Sequence, residues 1–545
     1  MQSYSDLSVL IIDPNPAMRG NLHNMLNQAS VTRIEYAVSS GTAIRQLTNK
    51  RFDVILCEYD LGSGSEDNGQ DGQQLLEDLR HHKLIDRATI FIMLTSEAVH
   101  SKVIGAAELT PTDYVLKPFT VDVLMQRIGR AVDRRAIFMP IYQLIAQGRQ
   151  RDAIATCQEA ERSNPRYATD FARLRAELNY ELGDLNEAEL IYQTTLAGRQ
   201  LGWAQLGLAR CQFGLERYDD AMGTLERLLE ANPNMMAGYD LLARTYEAMG
   251  QAPQAKKILE DAVAKSPNLV QRLRHLGEVA YDTGDISVAE KAFRQVVTKA
   301  RYSEFRDPED HVNLVRALVR KGDVNQASGV IRDMERTLRA SASTEVCKHI
   351  SSALLLDVTG HATEAASELS NAVTAVGMAR GLSNQLRLGL VNSCLKHRLD
   401  KDAADVIMHM MNDAEKPITM DEAVSVFEKA GRHDLARGVG DKIDGEVREL
   451  VTEAEAMARQ GDHRAAVSTL NQALRRTPGN LKVLYAATQA ILTQMDQLGW
   501  EAPLGEQAGA LIERIRRLDQ GSPELDALLK QYSGTQRKYG ISTTA

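Results

Sequence analysis

Asp13, Glu58, Thr95 and Lys117 are the residues whose types and placement could do chemistry in this chain. Three of them close short apolar runs: Val9-Leu10-Ile11-Ile12 ends at Asp13, Val54-Ile55-Leu56-Cys57 at Glu58, and Ile90-Phe91-Ile92-Met93-Leu94 at Thr95. Continuous runs of this length are expected of strands buried on both faces of a parallel sheet. The intervening stretches, Ala17 to Gln28, Gly41 to Thr48 and Gln73 to Arg80, carry apolar residues three and four apart, so strand and helix alternate. A doubly wound sheet gathers functional groups beyond the carboxyl ends of its strands, which brings these four side chains to one edge. Two carboxylates, a hydroxyl and an ammonium placed together can bind and neutralise charge.

The order of these residues, followed by Asp113-Tyr114-Val115-Leu116-Lys117-Pro118-Phe119, resembles the response-regulator receiver domain over about 130 residues. The resemblance implies a flavodoxin-like α/β domain with five parallel strands, spanning residues 1–135. It also implies roles. Acids after the first strand and the phosphoacceptor hold Mg²⁺, Thr95 bonds a phosphoryl oxygen, Lys117 pairs with its charge, and Tyr114 takes the aromatic switch position. Such chemistry is phosphoryl transfer by positioning, with a hard cation on oxygen ligands.

Two residues depart from that pattern. The phosphoacceptor position holds Glu58, whose extra methylene displaces the carboxylate, and catalysis is sensitive to misplacement on the order of 1 Å. Pro14 takes the place of the second acid after the first strand. Asp13, Glu58 and Asp60 remain as a weak Mg²⁺ set. An extended carboxylate near Lys117 and Thr95 imitates a phosphorylated aspartate; the competing expectation is an inert docking domain. Gly72 of Asp71-Gly72 lies fourteen residues beyond Glu58 rather than about eight, so about six extra residues are inserted within the Gly-, Ser- and acid-rich stretch from Asp60 to Gln70. It is expected to be a solvated loop over the site.

From Ile137 the apolar period is helical throughout. Gly148, Gly183, Gly250 and Gly284 are each followed five residues later by Ala153, Ala188, Ala255 and Ala289, and the pattern continues as Gly250, Ala255, Leu259, Ala262, Pro267. Gly461, Ala466, Leu470, Ala473 and Pro478 repeat it, and Gly322, Gly360 and Gly431 begin weaker copies. This resembles the tetratricopeptide repeat, which implies an all-α solenoid of antiparallel helix pairs. Residues 136–533 are assigned to it, with capping helices at the end and a polar tail at 534–545. Two units look irregular: one between Trp203 and Tyr218 with a lengthened turn, and one before Ala404, at Leu399-Asp400, that has lost its glycine. Val121 to Phe138 reads as one amphipathic helix, with Pro140 starting the first repeat helix.

Concave surfaces of such solenoids bind proteins. Counting back from the turn glycines nominates Arg173, Glu177, Tyr180, Arg244, Glu247, Arg274, Glu278 and Tyr281 as a peptide groove, rich in the Arg and Tyr of binding hot spots. Alternatively, Arg173/Glu177 and Arg274/Glu278 are intrahelical pairs. His433-Asp434 falls inside a repeat turn and His81-His82 at a helix end, so neither reads as a metal site.

A net charge of -9 with 25% charged residues argues against a nucleic-acid surface. Five cysteines without framework spacing fit buried thiols in a reducing compartment. Neither a basic leader into an apolar stretch nor about 18 successive apolar residues occurs, so a cytoplasmic protein without membrane insertion is expected. The expected function is a non-enzymatic two-component signalling adaptor, an atypical receiver controlling a repeat scaffold, with a sensor kinase as a second partner and a homodimer compatible. A phosphoryl-accepting sink and a transcriptional regulator are the alternatives.

Overall fold

The computed structural model describes the chain except residues 1–3, 63–70, 97–110, 268, 301–305, 412, 414–417, 478–479, 520–521 and 540–545. The chain divides into two compact units, Met1–Asp323 and Val324–Ala545.

The first unit begins with five parallel strands, β1 (Ser8–Ile12), β2 (Arg33–Ala37), β3 (Val54–Glu58), β4 (Ile90–Ser96) and β5 (Asp113–Lys117), in the order β2-β1-β3-β4-β5. Its helices include α1 (Pro16–Gln28), α2 (Ser40–Asn49), α3 (Gly72–His81) and α4 (Val121–Ala146). Alternate side chains of each strand face opposite layers, so a strand apolar at every position is covered on both sides. Leu10, Ile12, Ile55 and Cys57 join Ile44, Leu75 and Leu79 of α2 and α3. Val9, Ile11, Val54 and Leu56 join Leu22 and Leu26 of α1 and Leu124 and Ile128 of α4. Strand order reverses at β1, so Asp13 and Glu58 stand at the switch point between β1 and β3.

Helix α4 corrects the expected break at Pro140. It runs unbroken for 26 residues with Pro140 inside it, so the receiver's last helix is also the solenoid's first. Proline has no amide hydrogen and leaves one helical carbonyl without its donor, yet the apolar face continues across it: Phe138 and Ile141 are both buried. Phe138 stacks on Phe171 at 4.4 Å between ring centroids. Adjacent arginines fasten the two sides, Arg135 to Asp53 of the receiver at 2.9 Å and Arg134 to Asp170 of the repeats at 3.0 Å.

The repeat helices of this unit are α5 (Gln150–Ser163), α6 (Ala168–Leu182), α7 (Leu185–Gly198), α8 (Gly202–Gly214), α9 (Tyr218–Ala231), α10 (Met236–Ala248), α11 (Ala252–Lys265), α12 (Val270–Asp282), α13 (Ile286–Ala300) and α14 (Glu309–Lys321). Gly148, Gly183, Gly250 and Gly284 all have φ between 73° and 83°, the left-handed region where a side chain is strained, and Ala153, Ala188, Ala255 and Ala289 are all fully buried. The turn before Tyr218 is not lengthened. Glu216 takes the left-handed position at φ 59°, five residues before the buried Ala221, so a glutamate stands where its sisters have glycine.

The second unit continues with helices from Val324–Thr337 to Pro523–Lys538. Gly360, Gly431 and Gly461 make left-handed turns at φ 72° to 88°. The unit that lost its glycine uses Arg398 at φ 59°, and the buried small residue is Ala403 rather than Ala404. The last helix reaches Lys538, past the expected start of the tail: Thr535 is buried and bonds Asp496, and the Tyr539 hydroxyl donates to the Met495 carbonyl.

Candidate functional site

At the receiver's acid site, β1, β3, β4 and β5 deliver Asp13, Glu58, Thr95 and Lys117 as expected. Glu58 pairs in register with Leu94 and Lys117 with Ser96, which sets Thr95 between the two strand ends. The Lys117 ammonium contacts Glu58 Oε2 directly and stands 3.8 Å from Asp13 Oδ2. A single cation thus bridges the carboxylates of two strands. Asp13 is buried; its Oδ1 accepts the Asn15 amide at 2.8 Å, while its Oδ2 has no hydrogen-bond partner among the described residues. The Lys117–Pro118 peptide is cis. Thr95 is fully buried, its hydroxyl 3.4 Å from the Ser96 carbonyl. Tyr114 lies half inside against the core of α2 and α3, and burial pushes its phenol up to about 12.

The trio expected to hold Mg²⁺ does not converge. The Asp60 amide donates to Glu58 Oε1 at 3.3 Å, but its carboxylate turns onto its own loop and accepts the Gly62 amide at 3.1 Å. Among the described residues no three His, Cys, Asp or Glu side chains form a group able to hold a metal ion. Asp13 and Glu58 are the donors that fit a hard cation, and Lys117 already neutralises part of their charge. The loop expected to cover the site lies mostly at 63–70, outside the described residues. Cys57 is a buried thiol; burial, then the charges of Glu58, Asp71 and Asp13, push its pKa well up.

Helix α3 is seated directly on this site. Asp71 caps it in a capping box with Gln74. A Cβ on Gly72 would meet the Glu58 carbonyl oxygen at 2.5 Å and Met93 Sδ at 2.8 Å, so glycine alone lets the first turn of α3 touch the backbone of the phosphoacceptor position.

Residues of the expected peptide groove already have partners, of two kinds. The first kind lies within the repeats: Arg173 with Glu177 at 2.9 Å, Arg274 with both oxygens of Asp310 at 2.7 and 2.9 Å, and Glu247 with His275 at 2.6 Å. Arg244 lies over the Phe213 ring, and Arg316 and Arg320 lie over Tyr281. Burial raises the Glu278 carboxyl, with His275 and Arg274 opposing. Tyr180 is exposed.

The second kind comes from the receiver, which itself meets this face. Arg87, in the loop after α3, reaches Glu177 at 3.4 Å and Glu181 at 2.5 Å. His81 is not merely solvated; its Nδ1 lies 3.5 Å from Gln271 Nε2. Arg272 of α12 is fully buried, grips Asp240 of α10 through both oxygens at 2.8 and 2.7 Å, and adds its charge to Glu77 of α3. Burial pushes Glu77 up to about 7, with Gln73 and Arg272 opposing; burial and the charge of Glu77 push Asp240 the same way. Burial and the repulsion between the two carboxyls outweigh the neighbouring guanidiniums, so as a pair they hold a proton at higher pH than isolated carboxylates. Glu181, Asp240, Gln271 and Arg272 escaped the sequence reading, although Glu181 continues the Arg173/Glu177 face one turn on.

The response regulator receiver domain matches residues 9–129. These residues are a receiver domain. Tetratricopeptide repeat families match residues 203–234 and 241–304, so the head and the repeats within those residues are what their motifs implied. The chain is 28% identical over 128 residues to the chemotaxis protein CheY of Pseudomonas aeruginosa, which covers 24% of this chain and 98% of that protein. It is 25% identical over 129 residues to CheY-3 of Vibrio cholerae, covering 24% of this chain and 94% of that one. Among solved structures, a tetratricopeptide repeat protein from Parabacteroides merdae is similar at 14% identity over 48% of this chain and 98% of its own, with a TM-score of 0.33. No helix among the described residues is long and apolar enough to cross a membrane.

Proposed function

We propose that this protein is a non-enzymatic two-component signalling adaptor in which an atypical receiver governs a tetratricopeptide scaffold. One observation carries the reading: the lysine that would meet a phosphoryl group already holds the Glu58 carboxylate, one methylene farther out than an aspartate would reach. Glu58 serves as a built-in substitute for the phosphorylated state, and Thr95 and the half-buried Tyr114 surround it as the switch. Asp13 and Glu58 would hold Mg²⁺ weakly, because Pro14 supplies no carboxylate. When bound, the ion would neutralise phosphoryl oxygens; without it Lys117 does the neutralising. The scaffold's partner is a protein or peptide, and a sensor kinase is the natural neighbour of the receiver. The reading places the protein in the cytoplasm.

The test is incubation of the full chain with acetyl phosphate and Mg²⁺, followed by intact mass and peptide mapping. No modified Glu58 is expected. Pro14→Asp combined with Glu58→Asp should gain Mg²⁺-dependent beryllofluoride binding by calorimetry, at least about tenfold over either single change, because charge count sets hard-cation affinity. Equally tight binding by the natural chain would return the phosphotransfer-sink reading.

A further inference from the structure

The repeat face nominated as a peptide groove carries an ordered array of charges, and the receiver's α3 surface answers it. Arg87 stands against Glu177 and Glu181, His81 at the end of α3 lies 3.5 Å from Gln271, and the charges of Glu77 and Arg272 act on each other. The charge of Asp71, the cap of α3, acts on Lys299 of α13. The start of α3, its middle and the loop beyond its end therefore each interact with a charge of opposite sign. Gln73, on the same helix, is buried.

We infer that α3 is the resident ligand of the repeat groove: the protein holds its own scaffold closed, and its partner is a protein helix of like charge order. Such a helix presents a carboxylate toward Arg272 and a guanidinium toward Glu177 and Glu181. This deepens the adaptor reading and rests on it for the scaffold's role, but not for the chemistry of Glu58. Control by the receiver follows from the seat of α3. Its first residue abuts the Glu58 carbonyl, so a shift at the acid site moves the helix that faces the groove. A groove closed most of the time weakens apparent affinity by its open fraction.

The experiment uses the full chain and a fluorescein-labelled peptide of residues 71–88, held helical by Gln74→Lys cross-linked to Asp78. Glu77→Lys with Arg87→Glu reverses the receiver's charges and leaves the groove untouched. Fluorescence anisotropy should show this opened chain binding the peptide at least about tenfold tighter than the natural chain, since the closed fraction is removed. In parallel, a carbodiimide should join Lys299 to Asp71 in the natural chain and fail to do so in the opened one, read by mass spectrometry. Equal peptide affinity in both chains overturns the inference, as does the absence of the cross-link from the natural chain. Persistence of the cross-link in the opened chain also overturns it, because these charges would then not hold α3. Neither measurement contains a phosphodonor or Mg²⁺, so both stand whether or not Glu58 accepts a phosphoryl group.

Discussion

Replacing Arg272 with methionine tests the electrostatic centre of the groove. The guanidinium is fully buried and bonds both oxygens of Asp240 at 2.8 and 2.7 Å, while Glu77 adds a second carboxylate nearby. Methionine keeps most of the stem and removes the charge, leaving two carboxyls without their shared cation. Breaking a buried pair from one side costs about 3–5 kcal/mol. Asp240 retains 28% exposure, which places the expected loss at the lower end, about 3 kcal/mol or on the order of a hundredfold in opening equilibrium. A chain of two compact units is not expected to unfold in a single step, so a single melting temperature would not isolate the effect. Hydrogen exchange of α10 and α12 amides reports it locally. The loss should shrink as pH falls from about 8 to about 5.5, because protonation removes the uncompensated charges. Arg272→Met with Asp240→Leu should recover most of the loss, as neutral replacements of buried pairs commonly do. A loss under about 1 kcal/mol at pH 8, or a double variant no better than the single one, would refute the assignment of Arg272 as the cation that two carboxyls depend on.

Docking of α3 should itself depend on pH. Glu77 and Asp240 have raised carboxyl pKa values in the docked state, both about 7, facing Asp71, Gln73 and Asp78 on the receiver side and Arg272 and Arg244 on the repeats. The docked state therefore binds protons that the released state gives up: the contribution is absent above about pH 7 and grows as pH falls toward the ordinary carboxylate range. The Lys299–Asp71 cross-linking yield should fall on passing from about pH 6 to about pH 8, and a rise would contradict the shared-proton cluster. Gly72→Ala should destabilise the receiver by about 1–3 kcal/mol, since its Cβ meets backbone oxygen and cannot be relieved by a rotamer change; unchanged urea unfolding of the receiver would show that α3 shifts freely. Glu216→Gly should stabilise its repeat by about 1 kcal/mol by relieving the left-handed backbone, read as slower exchange in α8 and α9.

Much of this protein is local, and the sequence alone determined it. The strands announced themselves because a sheet covered on both faces requires continuous apolar runs, and the ends of those runs named Asp13, Glu58 and Thr95. The repeat turns were equally legible, because a left-handed residue and a small buried one five positions later leave a fixed pair of letters. That legibility failed at Glu216 and Arg398, where side chains bear a strain that glycine would avoid, and at Pro140, where packing of Phe138 and Ile141 carries the helix through a residue that ordinarily ends one. The groove was visible as positions but not as partners. Whether Arg173, Glu177 or Arg274 faces solvent, a neighbouring repeat or the receiver depends on contacts across scores of residues, and spacing carries no information about them. Tertiary structure alone brought Arg87 to Glu181, at a separation of 94 residues, and set Glu77 beside a guanidinium buried between two repeats. Charge pairs of that kind form only once the helices that carry them have been placed.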